Sequence, residues 1–82
     1  MKKYDPLMEY LEASDKTSIT LPYEEIEKII GDKLPETALE RIEWWSNNDP
    51  THTQSASWSE AGYKTTDVKL GHSVTFEKRN EY

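Results

Sequence analysis

Apolar positions divide the chain into a short series of elements. In DPLMEYLEA (residues 5–13), Leu7, Met8, Tyr10 and Leu11 recur at helical spacing. This predicts a first helix, with Asp5 as N-cap and Pro6 at the first helical position. Ser14, Asp15 and Lys16 break it, and SITL (18–21) is short and β-prone. Pro22 opens a second helix, YEEIEKII. Its first turn carries Glu24 and Glu25, and Tyr23, Ile26, Ile29 and Ile30 face inward. Gly31 is the expected stop. After GDKL, Pro35 opens a third helix, PETALERIEWWSN, with Ala38, Ile42 and Trp45 as its apolar stripe and Leu39 and Trp44 at the flanks. Asn47, Asn48, Asp49 and Pro50 end it. A fourth helix is expected from about Thr53 to Ala61, with Gly62 after it.

YKTTDVKL and SVTFEKR then alternate around Gly71 and His72, the pattern of a β-hairpin. A two-residue loop would pair Leu70 with Ser73 and set Val68 opposite Thr75. A three-residue loop, 71–73, pairs Leu70 with Val74 and Val68 with Phe76, and so gathers four apolar residues on one face. That register is the expected one. Helix, short strand, helix, turn, helix, short helix and hairpin together predict an α+β fold, winged helix–turn–helix-like, with three to four short helices before a C-terminal hairpin wing. In such a fold the helix after the turn enters the major groove.

Length makes this one domain over 1–82, because 82 residues cannot divide their apolar side chains between two cores. Residues 1–4 and 80–82 are expected to fray. Only 34% of the chain is apolar, but three Trp, five Tyr and one Phe bury a large area per residue ordered. With no cysteine, disulfides and thiolate metal sites are excluded. No stretch reads as a signal peptide or membrane span, so a cytoplasmic protein is expected, bacterial or acting in a phage-infected host. Sixteen acids against ten bases leave a net charge of −6, which works against non-specific phosphate binding and favours a basic partner.

The chain supplies Tyr4, Pro6, Leu7, Tyr10 and Leu11, then EIEKIIGDKLP (residues 25–35), then Trp44, Trp45 and Asn47. His52, Gln54, Trp58, Ala61, Gly62 and Tyr63 follow. In these positions it resembles a small bacterial and phage domain of uncharacterised function with YxPLxxYL, EIExIIGxxLP, WWxN and HxQxxxW motifs, over nearly its whole length. The resemblance implies occurrence alone or beside nuclease or restriction modules, and it brings no catalytic residue. It also implies a more basic third helix than this one, where Glu36, Glu40 and Glu43 accompany Arg41 alone.

All three tryptophans lie within WWSNNDPTHTQSASW, residues 44–58. Neighbours on a helix diverge by about 100°, so Trp44 and Trp45 cannot share a face. Trp45 continues the apolar stripe, and Trp58 is expected beneath the wing. Trp44 is the member expected to offer a partly exposed stacking surface. Asn47, Asn48, His52 and Gln54 are suited to reading base edges or to satisfying the loop's own backbone, and the second role is the expected one. His52 and His72 have no spacing that gathers a metal site with Asp49 or Asp67. No glycine loop cradles phosphate, Glu24 and Glu25 are adjacent surface acids, and no cofactor, small-molecule substrate or enzyme activity is indicated.

Two functions fit this reading, beside a blander third in which a protein-interaction module keeps the winged fold without a DNA role. One is a non-catalytic DNA-binding protein, regulatory or associated with restriction and defence. It would contact duplex DNA through Lys33, Arg41, Trp44, Asn47, Lys64, Lys69, Lys78 and Arg79. The lysines of the hairpin also suit an edge strand guarded against aggregation. The other is a phage-type anti-CRISPR or anti-restriction inhibitor that meets a basic defence nuclease through Glu36, Glu40 and Glu43.

Overall fold

In the computed structural model, which describes residues 3–47 and 53–79, the first helix, α1, spans Asp5–Glu12. Tyr4 flanks it and accepts the amides of Leu7 and Met8, so Asp5 is the first helical residue rather than the cap. Tyr4, expected in a frayed start, is only 8% exposed and belongs to the core. Leu7 and Leu11, one turn apart, are buried, whereas Tyr10 points outward.

Strand β1 (Ser18–Pro22) alternates outward and inward, burying Ile19 and Leu21. Helix α2 (Tyr23–Ile30) buries Tyr23, Ile26 and Ile30. It ends at Gly31, whose φ of 71° lets its own amide and that of Asp32 return to Glu27 O.

The expected third helix is broken. Helix α3 covers only Glu36–Glu40, Arg41 is extended (φ −124°, ψ 120°), and a 3₁₀ turn follows over Ile42–Trp45. In an unbroken helix the amide of Ile42 would bond Ala38 O. Here that carbonyl accepts the Tyr23 hydroxyl and Trp45 Nε1, both at 2.9 Å. Two side-chain donors from the core replace one backbone donor. The break swings Trp45 inward, 2% exposed, and leaves Ile42 56% exposed.

Helix α4 spans Thr53–Glu60, and Gly62 (φ 85°) turns the chain into β2 (Tyr63–Lys69). Strand β3 (Ser73–Lys78) follows. The sheet is antiparallel with order β1-β3-β2. Helix α1 packs against both α2 and α4, and α4 also packs against β2, so these three helices cover one face of the sheet. Among the described residues the result is a small α+β fold of four α-helices and three strands.

The expected hairpin register does not form. Val68 pairs with Val74 and Lys69 with Ser73, which leaves Leu70, Gly71 and His72 as the loop. An irregularity between Thr65 and Asp67 adds one residue to β2, so Thr65 lies opposite Phe76 and Tyr63 opposite Lys78. The reason is phase. Tyr63 and Thr65 are buried and Val68 is half-buried, and strict alternation cannot turn all three inward. One extra residue resets it.

Candidate nucleic-acid and partner interface

The tryptophan segment is mainly a core. Ring contacts run from Tyr4 to Trp44 (5.7 Å between centroids), Trp44 to Trp45 (4.7 Å), Trp45 to Trp58 (5.7 Å) and Trp58 to Phe76 (5.7 Å). Tyr23 joins through Trp45 at 5.4 Å. This chain of aromatics ties the start of α1, helix α2, the 3₁₀ turn, α4 and β3 into one cluster. Trp58 is fully buried, and Trp44 is the half-buried member, flanked edge-on by Tyr4 and Trp45.

Asn47 closes this core. Its Oδ1 accepts Trp58 Nε1 (3.0 Å) and the Thr65 amide (2.9 Å), and its Nδ2 donates to Thr65 O (2.9 Å). The side-chain amide thus pairs with both backbone groups of one residue on an edge strand, as a neighbouring strand would. Thr65 Oγ1 lies 2.7 Å from Trp45 O, which accounts for a hydroxyl in the core. Asn47, expected among the DNA contacts, turns its polar atoms inward. Gln54 is buried as well, while Asn48 and His52 lie outside the described residues.

The basic candidates spread over several surfaces. Lys33 is exposed on the α2–α3 loop, and Arg41 is exposed at the helix break. Lys64 and Lys69 share the exposed face of the hairpin but lie about 13 Å apart along β2, one near its base and one near its tip. Lys64 stands opposite Glu77. Lys78 is on the other side, with Nζ 5.9 Å from the centre of the Tyr63 ring, and Arg79 continues from it with its amide on Gly62 O. Because β2 is an edge, its lysines also oppose strand-to-strand association.

The acidic candidates lie closer together in the chain. Glu36 and Glu40 are exposed on α3, and Glu43 is exposed in the 3₁₀ turn. Leu39 (39% exposed) and Ile42 (56%) sit among them, as sequence spacing alone did not suggest. Among the described residues two ionisable groups beside Lys3 are perturbed, Tyr4 and Asp32. Burial raises the Tyr4 hydroxyl above its ordinary range, with Lys3 opposing. The backbone amide of Lys33 and then Lys3 hold Asp32 below its ordinary range. Among the described residues no three His, Asp or Glu side chains gather to hold a metal, and no helix is long and apolar enough to cross a membrane.

With this geometry in place, comparison with known proteins identifies the family. Residues 4–80 match the model of DUF7662, a domain of unknown function. The chain belongs to the DUF7662 family. No curated protein and no solved structure matches it. The match reaches from Tyr4 to the end of the sheet, so the WWxN segment and its Asn47 lock lie inside the family's domain.

Proposed function

We propose that this DUF7662 chain is a non-catalytic, winged-helix-like DNA-binding protein, regulatory or associated with restriction and defence. The observation that carries the reading is topological. A helix–strand–helix start, a further helix leading directly into a C-terminal hairpin, and the sheet order β1-β3-β2 support a winged helix–turn–helix-like reading. In this reading α4, packed with α1 and α2 and running into β2, takes the position of the recognition helix, and α3 with its 3₁₀ turn elaborates the connection. Helix α4 carries no lysine or arginine, and Gln54, Ser55, Ser57 and Trp58 on it are buried. Duplex contact therefore falls to the hairpin, through Lys64 and Lys69, with Lys78 and Arg79 at its base and Lys33, Arg41 and half-buried Trp44 as outlying contacts.

Fluorescence anisotropy of a labelled duplex at about 50 and about 200 mM salt tests this. Binding that weakens steeply with salt is expected, with a loss of at least about five-fold for Lys64→Glu combined with Lys69→Glu. Absence of binding at the lower salt defeats the reading.

A second reading has its own support in the exposed carboxylates of Glu36, Glu40 and Glu43. None of them is held in an ion pair within the described residues. In this reading the chain is a phage-type anti-defence inhibitor whose acidic surface meets a cationic region of a nuclease. It predicts no duplex affinity, and loss of nuclease inhibition on Glu36→Lys with Glu40→Lys. Inhibition that survives both substitutions removes it.

A further inference from the structure

A cleft of about 440 Å³ opens between the start of α2, helix α3 and the hairpin loop, with Tyr23, Glu24, Glu27, Leu39, Gly71 and His72 on its walls. One residue fastens all three sides. The Tyr23 amide donates to His72 O at 2.9 Å, which holds the hairpin loop against α2. The Tyr23 hydroxyl donates to Ala38 O at 2.9 Å, the carbonyl next to Leu39. The loop itself is closed by the His72 amide on Lys69 O (2.8 Å), with Gly71 at φ 78°. Glu27 Oε2 accepts the Leu34 amide at 2.9 Å and so ties down the approach to α3. The walls are fixed in advance, which lowers the ordering cost of binding.

The lining is amphipathic. Leu39, 39% exposed, supplies an aliphatic wall. Glu24 and Glu27 line the cleft, no lysine or arginine among the described residues does, and α3, which contributes Leu39, also carries exposed Glu36 and Glu40. A phosphate backbone is repelled by such a rim. A cationic chain is attracted, and an aliphatic side chain on it would cover Leu39.

We propose that this cleft docks a lysine- or arginine-rich segment of a partner protein, anchored by one aliphatic side chain placed against Leu39. The proposal rests on the second reading above, that the acidic surface meets a cationic protein, and narrows it to one place.

The test uses the full chain and a fluorescein-labelled, amidated peptide with lysines and arginines around a single leucine. A saturable anisotropy rise is expected at about 50 mM salt. Affinity should fall at least about ten-fold on Leu39→Asn, equally when the peptide's leucine is replaced by asparagine, and at least about three-fold on Glu24→Gln. Both altered side chains are exposed or half-exposed, and circular dichroism checks that the fold persists. Binding unaffected by Leu39→Asn but abolished by Glu36→Lys with Glu40→Lys overturns the cleft while leaving the acidic-surface reading intact. No binding of the peptide overturns the cleft, and nuclease inhibition then decides the broader reading separately.

Discussion

Residues 36–43 and 44–47 adjoin in the chain yet solve opposite problems. The second stretch turns inward: Trp45 and Asn47 hand their polar atoms to Ala38 O, Trp58 and Thr65, and the rings of Trp44 and Trp45 extend the aromatic core. The first keeps its polar groups in water, with Glu36, Glu40, Arg41 and Glu43 exposed and Leu39 and Ile42 beside them. The break at Arg41, inside the first stretch, lets Ile42 and Glu43 stay outside while Trp45 turns in. It costs one helical hydrogen bond, about 1 kcal/mol, and the two side-chain donors on Ala38 O offset that. The contrast shows how to weigh a polar residue. A side chain whose donors and acceptors are all satisfied internally, as in Asn47, is explained by folding. Exposed charges and aliphatics on a rigid frame are where recognition can operate.

This contrast can be broken experimentally. Asn47→Ala should have the largest effect, because it leaves the Trp58 indole and the Thr65 amide and carbonyl without their partner. A loss of about 2–4 kcal/mol is expected in urea unfolding, and a loss below about 0.5 kcal/mol would show that the lock is dispensable. Trp45→Phe keeps an aromatic ring but removes the Nε1 donor to Ala38 O, and should cost about 1–2 kcal/mol. Glu36→Lys with Glu40→Lys should leave stability within about 0.5 kcal/mol, since both carboxylates are solvated. A much larger loss would move these residues from the surface account to the structural one.

The smallest effect concerns Tyr4. Burial favours its neutral phenol, so its folded pKa lies above the ordinary value of 10.0. Its contribution is therefore complete below pH 10 and is lost as pH rises through the folded pKa. Relative to the unaltered chain, Tyr4→Phe should lose less stability above about pH 10, as read by alkaline denaturation monitored through circular dichroism. An unchanged alkaline slope would contradict the burial of this hydroxyl.

Much of the architecture is legible in local pattern. The apolar spacing places α1, α2 and both hairpin strands, β-propensity places β1, α4 is expected up to its glycine stop, and Gly31 and Gly62 fall where glycine's left-handed freedom is required. Two features escape it because their causes are remote in sequence. Ala38, Ile42 and Trp45 have helical spacing, but Tyr23, 15 residues from Ala38, competes for the carbonyl that would continue the helix. Matching apolar pairs suggests Leu70 opposite Val74, but β2 pairs Val68 there and leaves Leu70 in the loop, and an extra residue farther from the turn resets the phase so that Tyr63 and Thr65 also face inward. The candidate surfaces were legible only as residue types. Which lysines share a face, and that Leu39 and the hairpin loop border the same cleft, follow from three-dimensional packing alone.

The most direct test of the DNA-binding proposal is to map a duplex onto the folded chain by NMR. The ¹⁵N-labelled protein is titrated with a random-sequence duplex at about 50 mM salt. The account predicts amide shifts centred on Lys64, Lys69 and Lys78, with Glu36, Glu40 and Glu43 unmoved. An undisturbed spectrum, or shifts confined to α3 and its 3₁₀ turn, would contradict it.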